Sequence, residues 1–388
     1  MLTGLVEHET PLDEEALFRE ARRLRRRRWT IGLLISAIAL GGTAAIVAIS
    51  TSGRSANTTT STTFTTGVLP NGPLATLHVA GPLAVAPDGA LYVTNVVGAG
   101  LTGGDRVLVR LPDGRFRVVA GDGKVGFSGD DGPAVRGDLS SVSDLVFAPD
   151  GTLYIADGGR VRTVSRDGVI RTIAGNGQPL RTIANGTTAI SAALGSGHPN
   201  PLQIALSPAG HVYIATGGPQ LLRLTAAGKL DTVRAVVTSG LFKGRPIGGW
   251  YPIAVDAHDN IDVGGGPNGW SIWQVAPNGV AHYVGYARGS GGSDPILQPG
   301  PGGAIYAGPG VARIEPHKLA PISTFNVALD GRLRGQYFPL TYFAFSTNGT
   351  LYADDVPGNI GFERHQQLVS VTNHHTSLLW QETNSTPK

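Results

Sequence analysis

One short pattern recurs six times along the chain: an apolar run, a tight polar turn, then an alternating strand with, in five of the six copies, a tyrosine at its centre. The copies read APDGALYV (86–93), APDGTLYI (148–155), SPAGHVYI (207–214), DAHDNIDV (256–263), GPGGAIYA (300–307) and STNGTLYA (346–353). Their spacing of roughly 45 to 60 residues lies in or just above the range of propeller blades. A parallel β-helix has far shorter coils, and a β-sandwich has no such regularity.

A second hairpin follows the first in most copies, as in VLVRLPDGRFRVVA (107–120), VRTVSRDGVIRTIA (161–174), LLRLTAAGKLDTV (221–233) and IWQVAPNGVAHYV (272–284). Four antiparallel strands per unit and six units predict an all-β, six-bladed β-propeller over residues 73–388. The Asp-Gly and Asn-Gly turns predict two-residue hairpins with both central residues at positive φ. The abundance of glycine (56) and proline (26), with only 15% charged residues, suits many short strands and tight turns. ATLHVAG (75–81) reads as the end of a unit and is expected to close the ring against the last blade. Unit five shows no clean second hairpin. In unit four Asp262 stands where the other units carry tyrosine, so it is either at an exposed edge or a buried acid in need of a partner.

The N-terminal region differs in kind. Residues 31–49 form nineteen consecutive positions without a charge, close to the ~20 needed to span the hydrocarbon core. Six arginines lie between Arg22 and Arg28 immediately before this run, and Trp29 marks its edge. The expected layout is a cytoplasmic Arg-rich segment (1–28) with a juxtamembrane helix, a single transmembrane helix (29–50), a Thr/Ser-rich flexible stalk (51–72) and an extracytoplasmic propeller at the cell membrane. A cleaved signal peptide ending at Ala48-Ile49-Ser50 is the rival reading. Arg-rich residues 1–28 hold seven arginines against six acids, and the rest of the chain 24 basic against 22 acidic residues, so the apparent basicity is a small surplus spread thinly. No nucleic-acid surface is expected. The absence of cysteine excludes disulfides and thiolate zinc sites.

The most glycine-rich stretch is GDGKVGFSGDDGPA (121–134). Its G-x-G-x-x-G spacing matches a dinucleotide fingerprint, but that chemistry needs a helix opening within the glycines, and FSGDDGPAVRGD opens none. The P-loop order fails at Lys124, and the EF-hand order of acids is absent although Asp122, Asp130 and Asp131 are hard oxygen donors. The remaining reading is a connection from one blade to the next, in which glycines permit positive φ and close approach.

IAGNG, GDGKVGFSGDDGPA, LYIADGGRVRTV and DGVIRTIAG together resemble the NHL-repeat propellers, closely over residues 113–174 and weakly afterwards. In such a ring the longer connections emerge on one face, where ligands bind rigid scaffolds. That face carries the candidate binding residues Asn95, Asp130, Asp131, Asp144, Asp157, Asp294, Asp354 and Asp355. The leading expectation is a binding, sensor or scaffold module for a protein, peptide or envelope polymer, with no cofactor. The alternative is a metal-dependent hydrolase or lyase resembling the gluconolactonase-like and amidating-lyase propellers. That resemblance implies calcium or zinc in the channel, with Asp144, Gln203 and Asp294 as ligands. Neither a G-x-S-x-G nucleophile at Ser128 nor a catalytic histidine supports an enzyme.

Overall fold

The computed structural model describes residues 79–96, 104–195, 202–237, 243, 252–265, 271–286, 296–307, 312–315, 318–321, 340–355, 367–372 and 375–381. The expected cytoplasmic segment, membrane span and stalk lie outside these residues. Among the described residues no helix is long and apolar enough to cross a membrane.

The strands form six sheets. The first is β1 (Val79–Val85), β2 (Leu91–Val96), β3 (Asp105–Arg110) and β4 (Phe116–Ala120). A two-residue strand β5 (Gly132–Pro133) then joins the outer edge of the second sheet, made of β6 (Val142–Phe147), β7 (Leu153–Asp157), β8 (Arg160–Val164) and β9 (Val169–Ala174). The third repeats this plan, with β10 (Thr187–Thr188) outside β11 (Gln203–Leu206), β12 (Val212–Ala215), β13 (Leu221–Leu224) and β14 (Lys229–Thr232). In the fourth, β15 (Val236–Val237) runs parallel to β19 (Val280–Tyr286), beyond β16 (Ile253–Val255), β17 (Ile261–Gly265) and β18 (Ser271–Val275). The fifth holds β20 (Leu297–Pro299), β21 (Ile305–Ala307), β22 (Ala312–Glu315) and β23 (Lys318–Pro321). The sixth holds β24 (Leu340–Phe345), β25 (Leu351–Asp355), β26 (Gln367–Thr372) and β27 (His375–Gln381).

The first strand of each sheet lies beside the first strand of the next: β1 by β6, β6 by β11, β11 by β16, β16 by β20, β20 by β24, and β24 again by β1. The architecture is an all-β propeller, and closure protects inner edges that would otherwise expose unpaired backbone groups. Matching positions of the repeat fall into matching register, as in Leu83↔Val93, Leu145↔Ile155, Ile204↔Ile214, Ile253↔Val263, Leu297↔Ala307 and Phe343↔Ala353. These side chains are among the most buried and pack each sheet on its neighbour.

Three sequence expectations are corrected. Val79 to Gly81 belong to the inner strand of the first sheet, and the outer strand of the last is β27 from the C-terminal end of the chain. The fifth unit does have a second hairpin, β22 with β23, joined across Glu315↔Lys318. The Asp-Gly and Asn-Gly hairpin turns are three-residue rather than two-residue loops, whereas β7 and β8 join through Gly158-Gly159, both at positive φ. At Ala86–Ala90 the Gly89 amide donates to Ala86 O (2.8 Å) and the Ala86 amide to Ala90 O (2.9 Å), and only the glycine takes positive φ, +91°. Proline at the second turn position presets φ for a type I turn, and the Asp88 carboxylate accepts from the Ala90 amide at 3.0 Å. The same arrangement recurs at Asp150 with Thr152 and at Asn278 with Val280.

Candidate functional site

The long-connection face is built from straps that leave the outer strand of one sheet and cross the edge of the next. In the first strap the Gly121 amide donates to Ala134 O (3.0 Å) and the Asp122 amide to Gly137 O (3.0 Å). In the second, Gly175 donates to Ala189 O (2.8 Å) and Asn176 to Ala192 O (2.9 Å). Short 3-10 turns at Ala134–Arg136 and Ala189–Ser191 occupy equivalent places.

Both glycines of each G-x-G are required sterically. Gly121 and Gly175 have φ of +89° and +85°, and a Cβ on either would overlap the carbonyl oxygen of Asp105 or Gly159. Gly123 and Gly177 lie against the guanidinium groups of Arg106 and Arg160, which donate to Asp122 O (2.6 Å) and Asn176 O (2.8 Å). The glycine motif is thus a backbone dock for an arginine of the third strand, with no phosphate cradle. Gly175→Ala should cost about 2–3 kcal/mol through strained backbone and forced displacement. Denaturant unfolding checks this, and a loss under about 0.5 kcal/mol would show that the strap yields freely.

Arg162 on β8 is fully buried and is the hub of the first strap. It donates from Nη1 to Asp138 O (2.9 Å) and from Nη2 to Ser128 O (2.6 Å) and Asp130 Oδ1 (2.8 Å). Its Nη1 lies 3.6 Å from Asp157 Oδ2, within ion-pair range. Asp157, also buried, accepts at Oδ1 from the Ser140 amide (2.8 Å), the Ser140 hydroxyl (3.0 Å) and the Ser141 amide (3.0 Å). The Phe127 ring sits 3.8 Å from Arg160 Cζ and 4.9 Å from Arg162 Cζ, yet remains 44% exposed beside exposed Val125. It is an aromatic held in place from below by two cations.

The inner ends of adjacent sheets are tied by side chains that accept backbone amides. Asp105 Oδ2 accepts from Val142 N (2.5 Å), Asp144 Oδ2 from Ile204 N (2.8 Å), and Gln203 Oε1 from Ile253 N (3.1 Å). Asp144 Oδ1 also accepts from Leu145 N (2.9 Å), and Ser143 Oγ donates back across the seam to Leu202 O (2.7 Å). Asp144 and Gln203 occupy one register position, immediately before Leu145 and Ile204. Burial pushes the Asp144 carboxyl up to about 7 against the opposing amide bonds. Burial likewise raises Asp105 to about 6, with the Val142 amide opposing and the nearby Asp157 charge adding.

All six inner strands line a central channel of about 120 Å³, in which Asp144, Gln203 and Gln298 are the polar side chains. This is well below the ~300–1,000 Å³ of ordinary small-molecule sites. Among the described residues no three His, Asp or Glu side chains converge as a metal site.

The predicted residues therefore divide. Asp144 and Gln203 do reach the channel, each with its oxygens engaged by backbone amides. Asp157 is a buried tie within the strap. Asp130 and Asp131 are paired with Arg162 and Arg171, the latter through Arg171 Nε to Asp131 Oδ1 at 2.6 Å on the open surface. Asn95 is buried on β2. Asp354 and Asp355 lie at the end of β25, and Asp294 falls outside the described residues. Sequence reasoning missed Arg106, Arg160 and Arg162; for the first two the signal was an arginine near the start of the third strand, upstream of a G-x-G, in the first and second sheets.

No protein-family model matches the chain, and no curated protein matches it in sequence. Solved structures similar to it include streptogramin B lyase, at 12% identity and TM-score 0.46, covering 78% of this chain and 83% of that one. Virginiamycin B lyase from Staphylococcus aureus has 13% identity and TM-score 0.44, covering 78% and 86%. A gluconolactonase from Xanthomonas campestris has 11% identity and TM-score 0.44, covering 72% and 84%.

Proposed function

We propose that the chain is an NHL-like propeller of six blades, one per sheet, carried outside the cell membrane on the 29–50 span. In this reading it works as a binding module that recognises a protein, peptide or envelope polymer through the strap face. The observation that carries it is the construction of that face. Phe127 and Val125 stand exposed on a strap whose backbone is fixed by glycine docking and by Arg162, and rigid loops presenting an aromatic lose little entropy on binding. Asp130, Asp144 and Asp157 are engaged within the fold, so in this reading the contact rests on the exposed apolar pair and the Asp131–Arg171 pair.

The test is a photo-crosslinking amino acid placed at Phe127 or, on the opposite face, at Asp88, in cells carrying the full chain. Adducts of one discrete mass from position 127 and none from 88 are expected. Equal labelling from both, or none from 127, would refute the placement. With the crosslinker moved to exposed Val125, Phe127→Ala should weaken the adduct from 125 at least tenfold while leaving Tm within about 2 °C, because a half-exposed ring contributes little to the fold.

A channel enzyme is the second reading, supported by Asp144 and Gln203 reaching the channel from one register position. A stoichiometric divalent ion, together with lactone turnover abolished by chelator, would establish it and displace the binding module.

A further inference from the structure

The seam between the fourth and fifth sheets departs from the repeat at the tyrosine position. In the first sheet the repeat tyrosine, Tyr92, packs edge-on against Phe147 of the next sheet at 4.7 Å; in the fifth, Tyr306 meets Phe345 at 4.6 Å. The fourth sheet has Asp262 in the tyrosine register, and the fifth has Pro299 in the phenylalanine register. Asp262 is fully buried. Its Oδ1 accepts from Gln274 Nε2 at 3.1 Å, and its Oδ2 has no hydrogen-bond partner.

The charge that acts on it is a second carboxylate, Asp256. Asp256, also on this side, has its Oδ1 engaged by the amides of His258 (2.8 Å) and Asn260 (2.9 Å). Its Oδ2 accepts from Asn260 Nδ2 at 2.8 Å and lies 3.5 Å from the same Gln274 amide. His258 is exposed, with Nδ1 4.0 Å from Asp256 Oδ2. Half-buried His282 on β19 shares the cross-strand row Asp262–Gln274–His282. From the fifth sheet Leu297, Ile305, Ala307 and Ile314 pack with Ala254, Ile272 and Val284 of the fourth. One side-chain amide therefore serves two carboxylates, and one buried oxygen is left over.

We propose that this seam is a proton-gated joint: it closes on Asp262 as a neutral carboxylic acid, and loss of that proton loosens the packing of the fourth sheet on the fifth. An unpaired buried carboxylate is too costly to keep, whereas its acid form fills the place without charge. Burial first, and the Asp256 charge second, push the Asp262 carboxyl well above the ordinary range. The sign follows from linkage. A carboxyl whose pKa is raised by folding opposes the folded state increasingly as pH climbs above the unfolded value near 4, until the folded value is passed.

Hydrogen exchange of the full chain at pH 5 and pH 8, corrected for intrinsic rates, tests the joint. Amides of 253–263 and 297–307 should lose protection at least tenfold at pH 8 relative to pH 5, and Asp262→Asn should abolish that loss. Amides of 343–353, in the sixth sheet, supply the internal reference. Equal pH dependence in wild type and D262N would overturn the proposal. So would protection restored at pH 8 by millimolar calcium in wild type but not D262N, which would make the pair a cation site. Should D262N not fold, Asp262→Tyr, which installs the residue of the other repeats, carries the same comparison.

Discussion

Arg162→Met is expected to cost about 3–5 kcal/mol, the usual consequence of removing one partner from a buried ion pair. In a propeller of this size that is a fall in Tm of roughly 10 °C. The methionine fills most of the volume but donates nothing. Asp157 then keeps a buried carboxylate whose Oδ2 has lost its ion-pair partner, and the Ser128 and Asp138 carbonyls lose their donors. Phe127 loses one of the two cations beneath its ring. The loss should be partly recovered in the double variant with Asp157→Asn, because the second change removes the stranded charge. A double-mutant cycle by urea unfolding measures this. A single-variant cost below about 1 kcal/mol would show that the strap does not depend on Arg162.

Asp144→Asn is expected to make the stability curves of wild type and variant cross. With its folded carboxyl at about 7 against an unfolded value of 3.8, wild-type Asp144 lowers stability progressively as pH rises from about 4 to 7, by an amount on the order of 3–4 kcal/mol. Asp105, at about 6, adds a smaller loss between about 4 and 6. Asparagine has no charge to bury, so that part of the slope disappears. Its amide group, however, opposes one of the two backbone amides that both carboxylate oxygens now satisfy, at about 1–3 kcal/mol. D144N should therefore be less stable than wild type at pH 4 and equal or more stable at pH 8. Thermal unfolding across this range checks the crossing, and parallel curves would show that Asp144 does not titrate in the seam.

These two residues show how far the sequence could be read toward the site. Asp144 and Gln203 were recognisable as inward-facing because they stand just before the apolar run that opens each inner strand. What they do there was not recognisable, since the amides they accept belong to Ile204 and Ile253, 60 and 50 positions away in the chain. Asp130, Asp131 and Asp157 look alike as loop aspartates. Yet one oxygen of Asp157 collects three local donors, while Asp131 makes a solvent-exposed pair with an arginine 40 residues distant. Arg162 belongs to a strand whose alternation marks it as half-buried, but nothing adjacent in sequence shows that a strap folds over its guanidinium.

The sequence alone determined the propeller plan, the turn positions and the identity of the glycine stretch as a connection, because these rest on local periodicity and on the steric freedom of glycine. The meaning of Asp262 illustrates the opposite case: its departure from the tyrosine of the repeat is visible in one line, but edge exposure and full burial were equally compatible with it. Only the docking of the fifth sheet on the fourth decided for burial. Desolvation depends on what covers a group from across the fold, and a repeat that specifies each sheet does not encode which polar atom the next sheet will leave without a partner.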